Sequence, residues 1–135
     1  MKVYIGKYPK KADREQKIKV QIDPWDTWSM DHTLAHIITP MLKQLKETKH
    51  GAPYVDDEDV PEHLTKAAAP PPKDEWDVDE NHFKRWDWVM DEMIFAFESK
   101  IKEWENDYGD DRQIVEQRIQ RGFELFGKYY QGLWD

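Results

Sequence analysis

The stretch NHFKRWDWVMDEMIFAFESKIKEWEND, residues 81–107, decides the fold of this chain. Its large apolar side chains recur at alternating steps of three and four residues, which is the spacing of a helix buried along one seam. The seam consists of Phe83, Trp86, Met90, Met93, Phe97, Ile101 and Trp104. Trp88 and Phe95 form a second, smaller apolar strip on another flank. Because a helix that is apolar on two sides needs neighbours on two sides, the rest of the chain must supply them.

Two short strands are predicted before the first helix. Residues 1–8 place Val3 and Ile5 on one face and Tyr4 on the other. Residues 17–22 alternate strictly between polar and apolar side chains, which predicts a half-buried strand. The two strands would form a hairpin over residues 1–22, which needs cover because a lone hairpin is only marginally stable.

Two further helices and one long connector are predicted. A helix over residues 29–49 carries one apolar stripe, made of Met30, Leu34, Ile37, Ile38, Met41, Leu42 and Leu45. Residues 52–78 are acidic and rich in proline, and we expect no long regular element there. The central helix would span residues 80–107 and a last helix residues 111–133. Gly122 lies in the apolar stripe of the last helix, where it would allow close approach of another helix.

These elements predict a single domain, residues 1–135, of the α+β class. The prediction is mostly α: an N-terminal β-hairpin packed on a bundle of about three helices, with a long proline-rich connector. The chain has 135 residues, which is enough for one hydrophobic core.

The overall composition excludes several classes of function. A formal net charge of −8 argues against general nucleic-acid binding and against anionic membranes, although it leaves room for a local basic patch. The chain has no Cys, so disulfides and thiol catalysis are excluded. No apolar run approaches the ~20 residues of a membrane span, and we expect a soluble, intracellular protein without a signal peptide.

An acidic edge on the central helix offers one possible metal site. Carboxylates on bundle helices can hold metal ions, and Asp87 and Asp91 could combine with His32 and His36, which are one helical turn apart. The diagnostic Glu-x-x-His pair is absent. The favoured alternative is a solvated edge with surface pairs, Lys84 to Asp87 and Lys102 to Glu98. No catalytic motif stands out, and we expect no cofactor.

A group of cations offers a possible anion site. Arg85, Arg118, Arg121 and Lys128 could form a small pocket beside Trp25, Trp28 and Trp76, and such a pocket would suit a phosphorylated ligand. The alternative, which we favour, is ion pairing with nearby carboxylates, since Glu124 follows Arg121 by three residues.

Aromatic residues exceed what a three-helix core needs. Five tryptophans lie at turns, at a helix flank or near the end of the chain, and such side chains often mark an interaction surface: Trp25, Trp28, Trp76, Trp88 and Trp134. The alternative is that the long connector covers them. The strip of Trp88 and Phe95 predicts a homo-oligomer, a dimer or higher.

Four segments rich in aromatic residues resemble a family of small proteins of tailed, T4-like or marine bacteriophages. These segments are MKVYIGKY (1–8), WDTWSMDHTLAHIITPMLKQL (25–45), HFKRWDWVMDEMIFAFE (82–98) and RGFELFGKYYQGLWD (121–135), joined by the acidic segment 50–61. Longer members of this family carry a Trp-rich insert between the two strands, where residues 9–16 stand here. The family is uncharacterised, so the resemblance implies a phage origin and action inside an infected bacterium, but no catalytic residues.

Three hypotheses of function follow. The first is a non-enzymatic phage accessory protein that binds and neutralises a host factor, either a defence nucleotide signal or a host protein. The second is a structural component of the virion or its assembly. The third is a metal-dependent hydrolase that uses the acidic helix edge.

Overall fold

A computed structural model describes all 135 residues. It contains a two-stranded antiparallel sheet and three α-helices, which confirms an α+β fold that is mostly α. The elements are β1 (Lys2–Ile5), β2 (Ile18–Gln21), α1 (Met30–Thr48), α2 (His82–Ile101) and α3 (Arg112–Lys128). The chain divides into two compact units, where the sequence predicted one domain: an N-terminal unit, Met1–Leu34, and a helical unit, Ala35–Asp135.

The hairpin of the N-terminal unit has the predicted faces but not the predicted burial. Val3 pairs with Val20 and Ile5 with Ile18, so these four side chains share one side of the sheet. They are 50–58% exposed, and every residue of β1 and β2 is exposed. The prediction of a half-buried strand was therefore wrong, because two strands alone have no second layer to lie against.

The core of the helical unit surrounds α2. Its largest fully buried side chains are Trp86, Val89, Met90 and Met93 of α2 and Leu125 of α3. At Gly122 of α3, a Cβ atom would lie 2.5 Å from Ala96 Cβ and 2.5 Å from the Glu92 carbonyl oxygen. No side chain fits there, so the glycine allows the close approach of α3 to α2 that the sequence suggested.

Three details of the helices differ from the predictions. The seam residues Phe83 and Trp104 are exposed, and α2 ends at Ile101, before Trp104 is reached. In α1 the buried residues are Ala35, Thr39 and Leu42, whereas four of the seven residues of the predicted stripe are exposed: Met30, Leu34, Ile37 and Met41. The apolar stripe of α1 is wider than the part of the helix that contacts the core. Periodicity in the sequence does not show which edge of such a wide stripe faces the core. The last helix ends at Lys128 and continues as a short 3-10 turn, Tyr130–Gly132.

The connector between α1 and α2 contains only short 3-10 turns, as expected. These are Asp57–Asp59, Glu62–Leu64 and Lys66–Ala68. Val55 and Asp59 are buried, and they anchor the connector to the helices. None of the helices combines the length and the apolar character that crossing a membrane requires.

Candidate functional site

Arg85, the first of the predicted anion-binding cations, is buried in a salt bridge. Its guanidinium donates from Nη1 to Asp79 Oδ1 at 2.8 Å and from Nη2 to Asp79 Oδ2 at 2.6 Å. Nη1 also donates to the Leu64 carbonyl at 3.1 Å, which ties the connector to α2. Hydrogen bonds from Arg85 hold the pKa of the Asp79 carboxyl below its usual value. Arg85 is therefore occupied by a structural role.

Arg118 of α3 has a similar partner on α2. Its guanidinium donates from both Nε and Nη2 to the carboxylate of Glu92, each at 2.9 Å. The same guanidinium lies 3.7 Å from the centre of the Phe95 ring. Phe95 is consequently half-buried within its own chain, as is Trp88, so the predicted oligomer strip is partly covered.

Asp59 of the connector brings together the other two cations. Its buried carboxylate accepts hydrogen bonds from Arg121, from Lys128 Nζ at 2.6 Å and from the Tyr129 hydroxyl. Burial would raise the pKa of Asp59, but these three donors outweigh it and lower the pKa. Burial and the hydrogen bond to Asp59 raise the pKa of Tyr129 to about 12. Sequence reasoning missed Asp59 and Tyr129, because Asp59 lies in the acidic connector, where the sequence predicted no long regular element.

All four predicted cations are thus paired with carboxylates, as the favoured alternative expected. Arg121 also contacts Glu124, at 3.5 Å. The structure brings together only Arg121 and Lys128, which share Asp59, whereas Arg85 and Arg118 hold separate partners. A phosphorylated ligand would have to displace these carboxylates. The aromatic residues of the predicted pocket are exposed: Trp25 and Trp28 in the N-terminal unit, and Trp76 in the connector.

The acidic edge of α2 is held by two lysines of α1 and by Lys49, the residue after it. Lys49 Nζ lies 2.5 Å from Asp87, Lys46 Nζ lies 2.7 Å from Asp91, and Lys43 contacts Glu98. The predicted partners, Lys84 and Lys102, do not make these contacts, because the prediction considered pairs within one helix only. The regular spacing of Lys43, Lys46 and Lys49, three residues apart, is the signal in the sequence that could have identified this row.

Neither of the two possible metal sites is open to an ion. In one, a lysine ammonium already contacts the carboxylates, and in the other the side chains do not lie close enough together. The one group of acidic or histidine side chains close enough to share an ion is Asp56, Glu58 and Asp59. The Lys128 ammonium contacts all three, at 2.9, 3.2 and 2.6 Å. The alternative set of His32, His36, Asp87 and Asp91 does not form such a group, and its two carboxylates contact Lys49 and Lys46.

The N-terminal unit presents a different kind of surface. We name the side of the hairpin that carries Val3, Ile5, Ile18 and Val20 the apolar face. In the same unit, Trp25 is 59% and Trp28 83% exposed. Large apolar side chains that stay uncovered in one small unit are typical of a surface that meets another molecule.

The helical unit has an apolar groove of its own. It has a volume of about 430 Å³ and is lined by Ile38, Met41, Leu42, Leu45, Phe126, Tyr130 and Leu133. No charged side chain lines this groove, so it offers no fixed charge to hold an ionic ligand. Comparison of the chain with protein-family models, with curated proteins and with solved structures finds no match to any of them.

Proposed function

We propose that this protein is a non-enzymatic binding protein whose N-terminal unit engages a protein partner through the apolar face. In the phage setting that the sequence resembles, the partner is a host protein, which the bound protein blocks in the cytoplasm of the infected bacterium. The single observation that supports this proposal is the hairpin, where paired Val and Ile side chains remain more than half exposed. If a partner covers these side chains, each Å² of apolar surface that it buries stabilises the complex by roughly 25 cal/mol, before the costs of association are subtracted.

The arrangement of charge favours a protein partner over a phosphorylated small ligand. A phosphate needs fixed donors that are free to turn towards it. The cations suggested for this role are held by Asp79, Glu92 and Asp59, partly in buried positions. An incoming anion would leave these carboxylates without partners, at a cost of several kcal/mol for each buried charge. The apolar face, in contrast, is uncovered in the isolated chain.

The experiment compares two neighbouring substitutions on β2. Val20→Asp places a charge on the apolar face, and Gln21→Asp places the same charge on the opposite face. Tagged protein is used to capture partners from an extract of host bacteria, with quantitative mass spectrometry. We expect a protein that is retained by the wild type and by Gln21→Asp and lost from Val20→Asp. The purified pair should then bind in calorimetry with the same dependence.

Two other results would contradict the proposal. If both variants retain the same proteins as the wild type, the apolar face is not the docking surface. If calorimetry with cyclic di- and trinucleotides shows tight binding that Arg121→Ala weakens, a small ligand is the better reading. Light scattering on the same variants tests the predicted homo-oligomer: a dimer that Val20→Asp dissociates would make a second copy, and not a host protein, the occupant of the apolar face.

A further inference from the structure

The Lys and Arg side chains of the hairpin form no salt bridge, in contrast to Arg85, Arg118, Arg121 and Lys128. Residues 1–22 contain seven Lys and Arg against two Asp and Glu, a net charge of +5 in a chain whose total is −8. These cations are Lys2, Lys7, Lys10, Lys11, Arg14, Lys17 and Lys19. In the helical unit most cations contact a carboxylate, but no Lys or Arg side chain of the hairpin does so. The only paired cation of the hairpin is the Met1 α-ammonium, which contacts Asp23 and Asp26. The charge of the Lys and Arg side chains is available to an external anion.

The strand register collects part of this charge on one side of the sheet. Lys2 lies opposite Gln21, and Tyr4 lies opposite Lys19. The Gly6 N–H donates to the Lys17 carbonyl at 2.8 Å, which continues the pairing by one step. Side chains alternate along a strand, so these residues point away from the apolar face. We name this side the lysine face: Lys2, Tyr4, Lys17, Lys19 and Gln21.

An aromatic ring lies in the middle of the lysine face. Tyr4 is 57% exposed and has a lysine directly across the sheet. Lys17 and Lys19 are two residues apart on one strand, which separates them by about 6.8 Å. Positive charges in a row beside an exposed ring match a ligand that alternates negative charge with flat rings, as single-stranded nucleic acid does.

We propose that the lysine face binds single-stranded nucleic acid, with phosphates at Lys2, Lys17 and Lys19 and a base stacked on Tyr4. This proposal goes beyond the protein partner inferred above and uses the opposite side of the hairpin. A duplex fits less well, because its bases are already stacked on each other and cannot lie on the ring. Lysines contact phosphates as point charges without reading the bases, so binding shows little preference for sequence.

An acidic protein is the competing ligand, and the chemistry of the lysine face disfavours it. Lysines hold carboxylates elsewhere in this chain, as Lys46 holds Asp91 and Lys128 holds Asp59, so positive charge alone does not separate the two ligands. Tyr4 separates them, because single-stranded nucleic acid offers a flat ring at every nucleotide, whereas an acidic peptide consists mostly of carboxylates without rings. The total charge of −8 repels polyanions at long range. Because only three lysines contact phosphates, we expect weak binding that falls as salt rises, with log Kd changing with log salt by a slope of about 2, the value for three phosphate contacts.

The test measures fluorescence anisotropy of a labelled 20-nucleotide oligothymidylate with the full-length protein at low salt. The variant Lys17→Glu/Lys19→Glu should weaken binding at least tenfold. The control is Lys84→Glu/Lys102→Glu, which changes the net charge equally at two exposed lysines of the helical unit that also have no salt bridge. The control should bind within twofold of the wild type. Tyr4→Leu should weaken binding about fivefold and leave the salt slope unchanged, because it removes stacking and no charge.

Each alternative outcome would overturn the proposal. No binding at low salt, or an equal loss in the control, would show that the lysine face is not the site. Equal affinity for the duplex of the same sequence would exclude stacking on Tyr4. Competition by poly-glutamate at the same charge concentration would identify an acidic protein as the ligand. Lys17→Gln/Lys19→Gln, checked by circular dichroism, removes the charge without reversing it and should show a smaller loss of the same kind.

Discussion

The helical unit and the N-terminal unit differ in how their charges are paired and in whether their apolar side chains form a buried core. In the helical unit, Arg85, Arg118 and Arg121 each hold a carboxylate, and large side chains fill a core around α2. In the N-terminal unit, the lysines of the hairpin have no carboxylate partner and the apolar face is uncovered. Groups that are satisfied within the chain maintain its structure, whereas groups that remain unsatisfied are available for binding.

The largest effect expected from this contrast is at Trp86. Trp86→Ala removes a side chain that is completely buried in the core and should lower the free energy of unfolding by roughly 3–5 kcal/mol. Trp104→Ala is the matched control, since Trp104 is 85% exposed, and should change it by less than about 0.5 kcal/mol. Urea denaturation followed by circular dichroism measures both. Similar losses in the two variants would mean that the region after α2 is packed in solution.

The second largest loss in the free energy of unfolding is expected when Arg85 is replaced. Arg85→Met leaves the buried carboxylate of Asp79 without its partner and should cost about 3 kcal/mol. The double variant Arg85→Met/Asp79→Leu removes both charges and should recover much of this loss, as measured by the same denaturation. If the double variant is less stable than Arg85→Met, the Asp79 contacts with Asn81 matter more than the salt bridge.

Two glycines of α3 should respond with opposite signs. Gly122→Ala forces a methyl group against Ala96 and the backbone of Glu92, and should cost roughly 1–3 kcal/mol. Gly127→Ala meets nothing within 4 Å and should stabilise the helix by up to about 1 kcal/mol. Thermal melting of the two variants measures the difference. A stabilising Gly122→Ala would show that α2 and α3 are further apart than described.

Ionisation of Tyr129 should produce a smaller effect on the stability of the fold, and this effect should be confined to alkaline pH. Its pKa is raised to about 12 in the folded protein, against an ordinary value of 10. A raised pKa stabilises the fold below pH 10, and this contribution is lost as the pH rises from 10 towards 12. Titration of tyrosinate absorbance should show an ionisation step near pH 12, and this late step should be missing in Tyr129→Phe. A late step that persists in Tyr129→Phe belongs to another tyrosine.

The smallest effect is expected at the hairpin. Val20→Thr keeps the branched shape, and because Val20 is more than half exposed, the change should alter stability by less than about 0.5 kcal/mol. Denaturation at several protein concentrations measures it. A loss above about 1.5 kcal/mol, or one that depends on concentration, would show that the apolar face is covered in solution, and the contrast between the two units would then disappear.

The candidate sites show which salt-bridge partners can be predicted from residue spacing along one element. The sequence suggested ion pairing for Arg121, and Arg121 does contact Glu124. It did not suggest the stronger partner, Asp59, which lies 62 residues away. The lysine row that begins on α1 was missed for the same reason, since the partners of Lys46 and Lys49 are on α2. Salt bridges between distant segments depend on how those segments pack, which residue spacing along one element cannot show.

The sequence by itself determined the elements of this protein and the two faces of its hairpin. The alternation of side chains along a strand placed Val3 and Tyr4 on opposite faces of the sheet, and the three- and four-residue spacing located α2. Both patterns follow from backbone geometry alone. Only the tertiary structure decided which apolar residues are covered, that Gly122 lies against Glu92, and which charges are neutralised. These properties depend on the distance between elements, and that distance is set by packing and not by any single stretch of the chain.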